Sequence, residues 1–76
     1  MLTPQQVIDS EYLESRCALI EIAAMLDRYD IATQRHEVVA ERTEKLECLR
    51  EAFVLLADAK SSSNRAERLL QLFATV

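Results

Sequence analysis

The chain has 76 residues, a formal net charge of −4, no glycine and one proline, and half of its residues are hydrophobic. One small domain is the most it can build, and a chain without glycine holds neither a dinucleotide fingerprint nor a phosphate-binding loop, whose backbones need positive φ and close approach. Nine basic residues scattered among thirteen acidic ones form no stripe for a phosphate backbone, so nucleic acid is not an expected partner.

Hydrophobic periodicity is helical throughout, and the absence of glycine disfavours tight hairpin turns, so an all-α fold is expected. The first helix is expected over 4–29. Thr3 and Gln6 have the spacing of a capping box, and Pro4 suits the first helical position. Ile8, Tyr12, Ser15, Leu19, Ile22, Leu26 and Tyr29 recur at heptad spacing. A second stripe, Leu13, Cys17, Ile20 and Ala24, lies on another side. Asp9, Arg16 and Asp27 separate the two on one side, and Glu14, Glu21 and Arg28 on the other. A helix with two apolar faces needs two neighbours. In so short a chain one neighbour is expected to be a second copy.

The break after this helix carries no Gly or Pro. A polar stretch from Asp27 to Glu37 and a phase jump between stripes place it there, with Asp30 or Thr33 as the cap of the next helix. Asp27 and Asp30, flanked by Leu26 and Ile31, also read as a capped start. The alternative is one helix from Pro4 to Ala59, since the second stripe continues through Ile31, Val38, Arg42 and Leu49. The hairpin is preferred because a lone rod leaves the first face uncovered.

The second helix is expected over 34–59, with a stripe of Val38, Val39, Leu46, Leu49, Ala52, Phe53 and Leu56. Arg42 takes a core-type heptad position, its stem covering apolar surface while the guanidinium reaches outward. The opposite side, Glu37, Glu41, Glu44, Glu47, Glu51 and Asp58, reads as a solvated acidic face. Ser61, Ser62, Ser63 and Asn64 interrupt the pattern. A third helix is expected over 64–75, with Ala66, Leu69, Leu70, Phe73 and Val76 on one face. Alone it is marginal, so it must dock. The architecture expected is thus a single domain, 1–76. It is an antiparallel hairpin of two long helices plus a short C-terminal helix, paired into a four-helix-bundle-like homodimer.

Chemistry is sparsely signalled. His36 is the single histidine, and Thr33 stands where a di-iron bundle carries the Glu of its Glu-x-x-His pair. A carboxylate and histidine metal- or small-ligand-binding bundle using Glu14, Glu21, His36, Glu37 or Glu41 is therefore the alternative reading, not the leading one. Glu21 interrupts the apolar run from Cys17 to Leu26. If buried it needs a cation, with Arg16, Arg28 and Arg42 as candidates, and a buried acid or base is a third reading. No catalytic triad is definable around one histidine. Cys17, in the apolar run, reads as a small core residue. Neither Cys17 nor Cys48 fits a metal or redox spacing, and two free thiols point to a reducing, cytoplasmic setting. The same run is ten residues long, too short for a membrane span of about 20. The leading expectation is a non-enzymatic helical module for protein interaction or oligomerisation, an adaptor, regulator or accessory subunit. It is expected to hold no cofactor and to work through Leu13, Cys17, Ile20, Ala24 and Arg42, toward a second copy or another protein.

Overall fold

The computed structural model describes residues 1–36, 41–58, 60 and 63–75. Among them are three α-helices and no strand: α1, Pro4–His36; α2, Glu44–Ala57; and α3, Arg65–Phe73. The all-helical expectation holds. The chain divides into two compact units, Met1–Val39 and Ala40–Val76.

The first unit is α1. It begins as the capping box requires: the Gln6 amide donates to Thr3 Oγ1 at 3.2 Å, and the Thr3 amide donates to Gln6 Oε1 at 2.9 Å. Two amides that the helix itself leaves without acceptors are thereby satisfied. Gln5 Nε2 donates to Asp9 Oδ1 one turn on, at 2.9 Å. The helix does not stop near Tyr29. It runs seven residues further, to His36, and the expected caps Asp30 and Thr33 lie inside it. The Thr33 hydroxyl donates back to the Asp30 carbonyl at 2.8 Å instead of capping a new start. The physical reason is visible in the sequence. Nothing between Asp27 and His36 breaks a helix, and Ala32, Gln34 and Arg35 favour one. Arg35 and His36 then fall in the last turn, where positive charge offsets the helix dipole.

The second helix starts ten residues later than the pattern suggested, at Glu44. Residues 41–43 are not helical, so the single rod from Pro4 to Ala59 is not formed. Val38 and Val39, placed on the second stripe, lie outside the described residues. Thr43 occupies the N-cap position. Its carbonyl accepts the Glu47 amide at 2.9 Å, and its hydroxyl donates to the Glu47 carboxylate at 3.1 Å. Glu44 and Glu47 in the first turn also suit the positive end of the helix. The helix ends at Ala57. Asp58 turns extended, and its Oδ1 accepts the Lys60 amide at 3.0 Å, an Asx turn that begins the connection.

In the second unit α3 packs against α2. Asn64 stands at its N-cap position and accepts the Arg68 amide at 3.0 Å. Beyond Phe73 the Ala74 and Thr75 amides close the last turn onto the Leu70 and Leu72 carbonyls. The buried centre of this unit is Cys48 and Ala52, 6% and 4% exposed and one turn apart on α2. Both side chains are small, which lets the helices approach. The Cys48 thiol lies 3.8 Å from the Leu72 carbonyl, a weak hydrogen bond across the seam. Leu46, Leu49, Phe53 and Leu55 of α2 and Leu69 and Leu72 of α3 are half-buried around it.

Two details differ from expectation. The α2 face that packs is centred on Cys48 and Ala52, leaving Leu56 exposed. On α3 Leu69 and Leu72 are half-buried, whereas Leu70 is 72% exposed and Phe73, 43% exposed, sits at the rim. Both α3 sets recur at helical spacing, so the pattern alone left the rotation of this short helix open. Val76, counted on that face, lies outside the described residues.

Candidate interaction surface

α1 is 33 residues long and buries none of them. Of the predicted interface, Leu13 is 65% and Ile20 56% exposed, Cys17 is exposed and Ala24 half-buried. Spacings of four, three and four keep these four on one side of the helix. The length of α1 adds Ile31, 46% exposed and one heptad beyond Ala24. Asp27 interrupts the stripe between them. Ile8, Tyr12 and Leu19 of the other stripe are exposed as well, while Ile22, Leu26 and Tyr29 are half-buried.

Cys17 corrects one expectation. The apolar run predicts a core position for it, yet Cys17 is exposed and Cys48 is the buried thiol. Cys17 belongs to a dense apolar run, but that run wraps around α1 and does not define an interior. Cys48 lies one position before the apolar Leu49, in a stretch interspersed with charges, and so gave no signal of burial.

Arg42 corrects another. It precedes α2 in the non-helical segment and is exposed, so it holds no core-type heptad position and cannot continue the α1 stripe. With Glu44, Lys45 and Thr75 it lines a cavity of about 760 Å³ in the second unit. A smaller hollow of about 310 Å³, walled by Lys45, Cys48, Leu49 and Phe73, is mostly apolar and opens to the surface.

The groups named for metal or acid–base chemistry are spread over both units. Glu14 and Glu21 are two turns apart on α1, a rise of about 10 Å, too far to share one ion. His36 ends α1, Glu41 belongs to the second unit, and Glu37 lies outside the described residues. Among the described residues no three of His, Cys, Asp or Glu gather in a way that can hold a metal ion. Glu21 is exposed on α1, whereas a buried acid or base is the expectation that gives it a chemical role. No helix among the described residues is long and apolar enough to cross a membrane. Compared with known proteins, the chain matches no family model, no curated protein and no solved structure.

Proposed function

We propose that this chain is a small non-enzymatic helical module that works through protein contact, and that it self-associates as a dimer through α1. The observation that carries the reading is the exposure of Leu13, Cys17, Ile20 and Ile31 on one side of a helix that buries nothing. Exposed apolar surface of that kind marks a contact site, because leaving it in water forfeits about 25 cal/mol for each Å². An isolated helix also draws most of its stability from a packed face, which a second α1 supplies. The bundle-like dimer, with an antiparallel hairpin of α1 and α2 in each copy, is the architecture this reading adopts. An adaptor, regulator or accessory subunit in the reducing cytoplasm fits free thiols with one of them, Cys17, on the contact face.

Cys17 provides the test. Its rate of labelling by a thiol reagent is measured from low to high micromolar protein. The reading predicts that labelling slows as the concentration rises and the face becomes covered. A rate independent of concentration overturns it.

A further inference from the structure

We infer that the two copies of α1 pair antiparallel, their orientation set by one column of charges. The inference rests on the self-association proposed above and adds to it the direction of the pair. Because α1 continues to His36, Arg35 joins Glu14, Glu21 and Arg28 in a column spaced by single heptads. All four side chains are exposed. Each directly follows a position of the Leu13–Ile20–Asp27–Gln34 row, so the column runs along one edge of the proposed contact face. Such flanking positions form interhelical ion pairs that choose partner and orientation. The sign changes at mid-helix: two carboxylates, then two guanidinium groups.

In an antiparallel pair this column meets its own copy running the other way. Glu14 then stands opposite the partner's Arg35, and Glu21 opposite the partner's Arg28. The twofold axis repeats both contacts, so all four are attractive. A shift by one layer sets Glu14 against the partner's Arg28 but Glu21 against the partner's Glu21, so the column favours the unshifted register. A parallel pair instead sets the column against the opposite edge, Asp9, Arg16, Ala23 and Asp30. There Arg16 faces the partner's Glu21 and Asp30 the partner's Arg35, both attractive, but Asp9 faces the partner's Glu14, two like charges, and Arg28 faces only Ala23. Charge complementarity thus favours a second copy as the occupant and the antiparallel direction, in which no like charges of the column meet.

Column-swap variants test this. Glu14→Arg with Glu21→Arg makes the column all basic; Arg28→Glu with Arg35→Glu makes it all acidic. Mass in solution is followed by light scattering, with helicity by circular dichroism. Each double variant alone is expected to bind itself at least roughly tenfold more weakly than the parent, and an equimolar mixture to recover the dimer. The recovery weakens in high salt, as exposed pairs are screened. Mixing helps only if the column faces itself, since in a parallel pair it faces an edge that no variant alters. A fourfold variant exchanging all four signs keeps the composition and is expected to pair like the parent. Double variants that pair as tightly as the parent, a mixture that does not recover, or a fourfold variant that fails to pair each overturn the antiparallel assignment alone. A parent that is monomeric at these concentrations overturns the self-association reading beneath it.

Discussion

Truncating Leu13 and Ile20 together to alanine probes the contact face with little disturbance of the helix that carries it. Alanine is the strongest helix former, so α1 itself loses nothing in propensity. Within one chain the change is nearly free as well, because the two side chains are 65% and 56% exposed. In a pair the same atoms are covered. Fully burying a leucine or isoleucine contributes about 1.5–3 kcal/mol, so covering the exposed remainder contributes about 1–1.5 kcal/mol for each. Alanine keeps one methyl group, and the loss is roughly 1 kcal/mol for each side chain. Two positions in two copies give roughly 4 kcal/mol, about a thousandfold in the dissociation constant. Any cavity left in the seam adds to this. The assay is sedimentation equilibrium of parent and variant over a wide dilution range, with circular dichroism at matched concentrations. A dissociation constant changed by less than tenfold, with helicity intact, refutes the assignment of this face.

Thr3→Ala removes the hydroxyl that accepts the Gln6 amide, at a cost of about 1 kcal/mol to the start of α1. Faster hydrogen exchange at the Gln6 and Val7 amides is expected, with exchange in α2 and α3 unchanged. Cys48, 6% exposed, is expected to resist thiol reagents in native buffer at every protein concentration and to react once urea unfolds α2 and α3. Ready native labelling of Cys48 would contradict the packing of the second unit.

Local signals at the ends of elements were the most legible part of the sequence. The Thr3, Pro4 and Gln6 pattern names its own hydrogen bonds, and the structure forms both. The end of α1 was less legible because helices stop for two reasons, a breaking residue or a better alternative for the backbone. The stretch after Tyr29 has neither, and polarity alone does not stop a helix. At α2 the true start was present as Thr43 followed by Glu44 and Glu47, but the regular recurrence of Glu through this region hid an N-terminal charge signal inside what looked like a solvated face. Of the buried pair, Ala52 belongs to the expected α2 stripe, whereas Cys48 does not, because a small side chain adds little to a hydrophobic pattern although small residues decide where two helices can come closest. The face of α1 formed by Leu13, Cys17, Ile20 and Ala24 was legible from spacing alone. Arg42 was carried along with it only because the stripe was extrapolated across a segment that is not helical.

The most direct test of the central claim is the absolute mass in solution, by light scattering after size exclusion across a dilution series of the unaltered chain. A dimer that persists into the low micromolar range is the predicted result. A chain that stays monomeric at hundreds of micromolar would contradict it and leave the exposed face of α1 to a different protein.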